Sequence, residues 1–563
     1  MNYELHQNHQ TDEHSSKGFG AVPKNNEQFI AWINLRLLSV VFLLFVALVG
    51  WSNYYNVNPD GLSYIGIARL LKLHAWYDSI SGERGPLISW LLAPLSVHLP
   101  ELFAVRIITT ASSVAAVLVS WCIVRYVLRD DILRRVAIVT IMFMPLLSDT
   151  TALITPDLMF SVFVMLAFFY GMKFLEKPGY KSAVLIGLSW ALAYFAKSFG
   201  FVFAWLFFML LWLLAVFPFE WRRLIAVSKP LILGMVVFII VSLPWLSALR
   251  YKYGCWMSGS VGKVNLFYEG PYAQLPTPPP KEDAMWLNPQ TFSMDNRMAG
   301  HYDCCPPGDV IYTYSVLDIK PGLQVKKFFA NLMVSGRFPW KMFRLACIPI
   351  IIGFVLCLSA IKTDKRLLLI MLGSLFWVAL YLIVCMRMEK RFLMPIVPLL
   401  VVVAAKGYES ARLRLSQSPI AGDAKGKFSL INALLLFQVI SILLMGGYHS
   451  IRCIRDWRRE SLTHAQLAQE LVQTEGVTNL SQTSSCWYAG RNLAVIADIR
   501  YLGQIVPDQH PDGIADVLRK GHISHLVTLP AELDKSRLEG LGFVREFKLG
   551  SVKYWLYKVF YDE

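Results

Sequence analysis

The chain has 563 residues, 55% of them hydrophobic and 17% charged, with a mean hydropathy of +0.46. Soluble domains carry about 25% charged residues, so the composition describes a polytopic α-helical membrane protein. The formal charge of +15 then belongs to cytoplasmic loops and anionic-lipid contact rather than to nucleic acid, and the sequence holds no P-loop, dinucleotide fingerprint or zinc spacing.

Residues 1–31 are polar, rich in His, Asn and Gln, and read as a disordered cytoplasmic tail. Trp32 to Gly50 is long enough to cross a bilayer and shows no small-residue cleavage site, so it is expected to stay as an anchor. Lys17, Lys24 and Arg36 lead into it, and no Lys or Arg follows until Arg69. That asymmetry puts the N-terminus in the cytoplasm.

The next stretch, 52–101, is expected to be an outer loop, too polar to continue the span and too apolar for a plain connection. Asn58-Pro59-Asp60-Gly61 is a turn signature, followed by a helical pattern from Leu62 to about Leu73. Asp60 and Tyr64 are four apart, which places a carboxylate and a phenol on one face. Asp60 reads either as a base or as an N-cap, and Tyr64 either as its hydrogen-bond partner or as an interfacial anchor. Glu83-Arg84-Gly85-Pro86 sets a cation at the mouth of a second apolar stretch.

Further spans are expected near 102–127, 136–148, 158–174, 182–198, 201–218, 229–247, 341–361, 367–386, 392–405 and 428–447. The piece 136–148 is short, and either extends or is broken. About eleven spans result, an odd number that satisfies the positive-inside rule. Arg129, Arg134, Lys173, Lys181, Arg222, Lys229, Lys365, Arg366, Lys406 and Arg412 all fall in the resulting cytoplasmic turns. Arg84, Lys197, Arg387, Lys390 and Arg391 fall on the other side. Cations on the wrong side of a membrane are candidates for function, with snorkelling to headgroups as the alternative.

Residues 250–338 form a second, long outer loop with a Pro-rich turn at Pro276–Pro280. Of the nine cysteines, Cys255, Cys304, Cys305, Cys453 and Cys486 lie outside the spans. None has a nearby His at ligand spacing, so disulfides or free thiols are expected rather than a metal. From 448 to 563 the composition is that of an extracytoplasmic α/β domain. Helices are expected at Asp456–Gln473, Gly513–Lys520 and Leu533–Leu541. Strands are expected at Leu493–Ala497, His525–Leu529, Phe543–Phe547 and Lys553–Val559.

Taken in order, these motifs resemble the GT-C superfamily of membrane glycosyltransferases. They are closest to family 39-like enzymes, the protein O-mannosyltransferases and the aminoarabinose transferase acting on lipid A. The family's first outer loop carries an acidic residue, then Tyr and a short helix, which resembles Asp60-Gly61-Leu62-Ser63-Tyr64. Its basic residue before Pro-Leu is similar to Arg84-Gly85-Pro86-Leu87. Its second acidic position resembles Thr155-Pro156-Asp157-Leu158, and its Thr-Lys-Gly element resembles Ala196-Lys197-Ser198-Phe199-Gly200. Its Glu-Arg-Tyr and Pro element is similar to Lys390-Arg391-Phe392-Leu393-Met394-Pro395 with Pro398. Gly61 stands where the family has the second acid of an Asp-Glu pair, and Arg84-Gly85 replaces Lys-Pro, keeping the charge and loosening the turn.

The resemblance implies the GT-C fold at 32–447. It implies transfer of a sugar from a polyprenyl-phosphate donor to a hydroxyl of a lipid, glycan or protein acceptor, with inversion, at the outer face of a bacterial-type inner or plasma membrane. Asp60 would be the base, and Asp157 would orient acceptor or clamp, or cap its helix. Arg84, Lys197, Lys390 and Arg391 would hold the donor phosphate. The resemblance requires no cofactor, and a divalent metal stays open because Gly61 removes one ligand. Two rivals remain: a polymerase or ligase using diphosphate-linked glycans, and a lipid-linked sugar transporter or flippase. A transporter would show repeats and mid-membrane charge, whereas the charges here lie at span ends.

Overall fold

The structure is a computed structural model that describes residues 34–262, 321–361, 364–384, 388–416 and 421–473, and in the C-terminal part 483–485, 500–501, 524–528, 541–549 and 552–560. Arg387, the Pro-rich turn, the Cys304–Cys305 pair, Cys486, the expected strand 493–497, the expected helix 513–520 and all but Leu541 of the expected helix 533–541 lie outside the described residues.

Helices of eight residues or more are numbered in chain order. The first half of the chain forms α1 (Leu35–Ser52), α2 (Pro59–Lys72), α3 (Leu87–His98), α4 (Glu101–Val127), α5 (Asp131–Phe143), α6 (Pro145–Ala152), α7 (Asp157–Glu176), α8 (Tyr180–Ala196), α9 (Phe199–Val216) and α10 (Trp221–Tyr253). Beyond residue 320 come α11 (Pro321–Ser335), α12 (Cys347–Ile361), α13 (Lys365–Val384), α14 (Val397–Ser416), α15 (Ala421–Ser441) and α16 (Gly447–Gln473). Among the described residues, eight helical runs are long and apolar enough to cross a membrane: α1, α4, α7, α9, α10, the run Gln324–Ile361, α13, and Ser429–Asp456 across the α15–α16 junction.

The remaining expected crossings are helical too, each with a local reason for falling short of that measure. The piece at 136–148 is two helices, α5 and α6, because Pro145 supplies no N–H and opens the second at its N1 position. α8 is apolar but 17 residues long. α14 has the length but carries Lys406, Glu409, Arg412 and Arg414 from its midpoint on. It also starts at Val397 rather than at 392, because Lys390–Leu393 is a 3₁₀ turn.

Two helix crossings are set by glycine. A Cβ on Gly234 of α10 would meet the Ala183 carbonyl oxygen of α8 at 2.5 Å, and one on Gly187 would strike the carbonyl of Gly234. A Cβ on Gly353 of α12 would meet the Ala404 carbonyl of α14 at 2.6 Å, and one on Gly407 would strike that of Gly353. Backbones approach this closely only where no side chain intervenes, the usual device for packing helices in lipid. Helices α7, α9 and α13 share an aromatic core in which Trp377 meets Phe160, Phe199 and Phe203 at centroid distances of 5.4, 5.2 and 4.6 Å. Tyr381 stacks on Phe199 and Phe392 at 4.0 and 5.1 Å.

A short π segment, Ile442–Gly446, joins α15 to α16. The helix expected from Asp456 therefore begins at Gly447 and grows directly out of the last hydrophobic run. Its Leu467 and Leu471 are buried, as the apolar face requires. The sheet has the order β2-β1-β3-β5-β4, with β1 (Thr483–Ser485), β2 (Arg500–Tyr501), β3 (His525–Thr528), β4 (Leu541–Leu549) and β5 (Val552–Val559). β1 pairs in parallel with β2 and β3, while β5 runs antiparallel to β3 and β4. The expected strands at 525–529, 543–547 and 553–559 are β3, the middle of β4, and β5. Leu541 opens β4.

The glycine crossings make a prediction. Gly407→Ala and Gly234→Ala each force a methyl into a backbone oxygen, at a cost of about 1–3 kcal/mol. Both should lower the thermal midpoint in detergent by several degrees. Gly262→Ala, with nothing within 4 Å of the added carbon, should not. Equal midpoints for all three would show that the crossings are not close-packed.

Candidate active site

The first acid comes from the start of α2. Pro59 occupies the first helical position, where its fixed φ is already helical. The helix thus begins three residues earlier than the pattern from Leu62 indicates, and Asp60 lies in its first turn. Asp60 is not the cap. That position is Asn58, and Asn58 makes no capping bond; its Oδ1 accepts instead from the Ile154 amide at 2.8 Å.

Arg84 comes from the connection between α2 and α3. The Ser81 hydroxyl accepts from the Arg84 and Glu83 amides at 3.2 and 3.3 Å. The Gly82 amide donates to the Tyr253 hydroxyl at 3.0 Å, and the Gly82 carbonyl accepts from Ser260 at 2.7 Å. Gly85 then lets the loop lie on the end of α8: a Cβ there would meet the Phe195 carbonyl at 2.5 Å and strike that of Ala196. The Gly that replaces the family's Pro is thus the residue that brings Arg84 up to Lys197.

Lys197 is the C-cap of α8 and Asp157 is the first residue of α7. Their Nζ–Oδ1 separation is 2.8 Å, with Asp157 only 2% exposed. Lys197 also lies over the Phe392 ring at 4.4 Å. Arg391, on the 3₁₀ turn, closes the cluster. Its Nη1 is 2.9 Å from Asp60 Oδ2 and 3.7 Å from Asp157 Oδ2, and its Nε is 2.7 Å from Glu389. Arg84 Nη1 meets the other oxygen of Asp60 at 3.0 Å. Three acids and three cations from five separate segments therefore meet at the ends of membrane helices.

The charge balance dictates ionisation. Burial opposes the Asp60 carboxylate, but Arg84, Arg391 and Lys197 outweigh it and hold its pKa down at about 2. Arg391 is pushed above its ordinary range by Asp157, Asp60 and Glu389 against the effect of burial. Tyr64, one turn after Asp60, is buried. Its phenol is pushed up, first by burial and then by the two aspartates, so it is a neutral hydroxyl. The Tyr64 carbonyl accepts from Ser89 of α3 at 2.9 Å.

Lys390 does not join this cluster. It turns to Asp149 in the middle of α6, which also meets His449 Nε2 of α16 at 2.9 Å. The Arg344 guanidinium reaches His449 Nδ1 at 3.3 Å. Neighbours on a 3₁₀ turn point about 120° apart, so Lys390 and Arg391 face different partners. The sequence reading missed Glu389, Asn58, Asp149 and His449. Glu389 had a signal, since it directly precedes Lys390-Arg391-Phe392, the stretch that resembles the family's Glu-Arg-Tyr element. The others are ordinary polar residues until the fold brings them together.

A divalent ion at Asp60 would have to displace two guanidinium groups, and no group of three His, Cys, Asp or Glu ligands forms among the described residues.

Residues 83–247 match the family model for dolichyl-phosphate-mannose-protein mannosyltransferases, and residues 334–488 match that for the Alg9-like mannosyltransferase family. The first match includes Arg84, Asp157 and Lys197, and the second includes Arg391; Asp60 lies in neither. No curated protein matches the chain by sequence at a significant level. Among solved structures, ArnT from Cupriavidus metallidurans in the apo state is similar at 14% identity and a TM-score of 0.56, over 93% of this chain and 98% of that one. The same protein bound to undecaprenyl phosphate is similar at 14% identity and a TM-score of 0.54, over 92% and 97%. The chain has the GT-C fold, as its motif order indicates, with a small C-terminal sheet.

The depressed pKa of Asp60 has a consequence for stability. A carboxyl ionised more readily in the folded than in the unfolded chain stabilises fully above the unfolded value, 3.8, and loses that contribution as pH falls toward about 2. Thermal midpoints of wild type and Asp60→Asn should therefore draw together as pH is lowered through that window. A gap that stays constant throughout would show that the arginines do not hold Asp60.

Proposed function

We propose that this GT-C glycosyltransferase moves a sugar from a polyprenyl-phosphate donor to an acceptor hydroxyl at the outer face of the membrane, with inversion. One observation carries the reading: Arg84, Lys197 and Arg391 converge beside two carboxylates where membrane helices end. A lipid phosphate lying at the membrane surface with its tail between helices meets that chemistry.

The ion pairs supply the mechanism. Without donor, the two carboxylates keep three cations ordered that would otherwise repel one another. A phosphate entering among them competes for the guanidinium groups of Arg84 and Arg391, which bind phosphate with the same forked geometry as carboxylate. Asp60, released from them, rises from about 2 toward the ordinary carboxylate range and becomes a better base, since basicity and pKa move together. The acceptor oxygen then attacks the anomeric carbon while Asp60 takes its proton. The bond from anomeric carbon to phosphate oxygen breaks, and the lipid phosphate leaves with its charge on the three cations. One displacement gives inversion. Asp157 stays with Lys197 and holds it in place, and the neutral phenol of Tyr64 is a donor beside the reacting groups.

Asp60→Asn separates these roles. Turnover should fall by about two to four orders of magnitude. Affinity for a polyprenyl phosphate should stay level or rise, because the arginines lose a competing anion. The measurement is single-turnover transfer by purified protein, compared for monophosphate- and diphosphate-linked donors, with thermal stability alongside. Near-normal transfer by a folded variant would remove Asp60 as base, and consumption of the diphosphate donor alone would favour the polymerase or ligase.

Sidedness follows from the cation asymmetry around α1. Alkaline phosphatase fused after Gln473 should be active and fused at Lys425 inactive. The reverse pattern would put the cluster on the cytoplasmic side.

A further inference from the structure

Arg106 is a buried cation that the site chemistry does not use. It lies on the second turn of α4, 4% exposed, within a helix long and apolar enough to span a membrane. No salt bridge to it occurs among the described residues; its partners are backbone oxygens. Nη1 donates to the Ala152 carbonyl at 2.7 Å, and Nη2 donates to the carbonyls of Asn53 and Asn56. Asn53 is the C-cap of α1 and Ala152 the last residue of α6. These are helix C-termini, whose carbonyls carry partial negative charge, so the guanidinium finds distributed countercharge in place of a carboxylate.

The positions of those carbonyls matter. Asn56 is four residues before Asp60, and Ala152 is five before Asp157. One planar, rigid group therefore ties together the two segments that deliver the two carboxylates. Two further contacts join the same segments: Asn58 Oδ1 accepts from the Ile154 amide, and Gly61 lies so close to Ile154 that a Cβ there would meet its Cβ at 2.7 Å. We infer that Arg106 is a positioning residue that sets the spacing of Asp60 and Asp157 by clamping the carbonyls ahead of each, with Asn58 as the second tie. The inference rests on the proposed transferase reading for its kinetic consequence, but not for the tie itself.

The tie explains why a lone arginine is kept in apolar surroundings. Lys in its place keeps the charge and offers no planar fork to hold carbonyls of two segments. The carboxylates would then be free to shift by a fraction of an ångström to an ångström, enough to cost up to about a hundredfold in rate. Arg106 spends its guanidinium on backbone carbonyls and is not one of the cations proposed to hold phosphate, so donor phosphate binding should survive.

The test compares wild type, Arg106→Lys and Asn58→Ala. Amide hydrogen exchange should speed up within 53–61 and 150–157 in both variants and stay unchanged in α8, α10 and α12. Single-turnover transfer should fall about tenfold to a hundredfold in Arg106→Lys and about threefold to tenfold in Asn58→Ala. Binding of a polyprenyl phosphate should stay within about twofold of wild type by the same reasoning. Exchange unchanged in the two segments, exchange raised throughout the bundle, or transfer untouched while exchange rises would each overturn the inference. If Arg106→Lys does not fold, Asn58→Ala decides by the same readouts. If wild type transfers nothing from a polyprenyl-phosphate sugar, the functional proposal falls, and the exchange pattern still decides the tie.

Discussion

The pairing of cations with carboxylates at the ends of membrane helices is the constraint on which the rest of the structure depends. Asp60 is held by Arg84 and Arg391, and Asp157 by Lys197. None of these charges is affordable alone where water is scarce, because the desolvation of an unpaired ion costs several kcal/mol. Together with Glu389 they make a set of three acids and three bases that is neutral overall. A neutral set can be half-buried and still be chemically ready, since an incoming anion needs only to trade places with an anion already present.

The scaffold exists to bring five segments to that point. Small residues do much of this: Gly234 and Gly187 draw α8 against α10, and Gly85 lays the Arg84 loop onto the carbonyls ending α8. Lys197 stands at that same end, so one close approach places two of the three cations. The aromatic column of Phe199, Trp377, Tyr381 and Phe392 supports the third. Trp377 Nε1 donates to the Phe392 carbonyl at 2.9 Å, and this pins the turn that carries Arg391.

The same turn divides two polar networks. Lys390 joins α6 to α16 through Asp149 and His449, while Arg391 faces Asp60 and Asp157. In the chain the two residues are a basic pair with the same expected role. Only the 3₁₀ geometry separates them, and that turn is pinned by Trp377, which lies 15 residues before the Phe392 carbonyl it bonds.

The sequence alone was enough to establish a polytopic helical protein, because apolar length is a local property of the chain. It also singled out Arg84, Lys197 and Arg391, because a cation that breaks a topological rule stands out without any tertiary information, while Asp60 and Asp157 stood out by their turn and motif context. Strands β3 and β5 and the apolar face of α16 were legible for the same reason: periodicity is local. Pairing was not. That Arg84 and Arg391 share Asp60, that Lys390 leaves for Asp149, and that Arg106 spends its guanidinium on three carbonyls are all contacts between residues far apart in sequence. Asn58 read as a turn residue; it proves to be the N-cap position of α2, and its side chain accepts from the Ile154 amide just beyond α6. Such partners are chosen by which helix ends come within about 3 Å of one another. That is a property of how the helices pack, and the pattern along any one of them does not contain it.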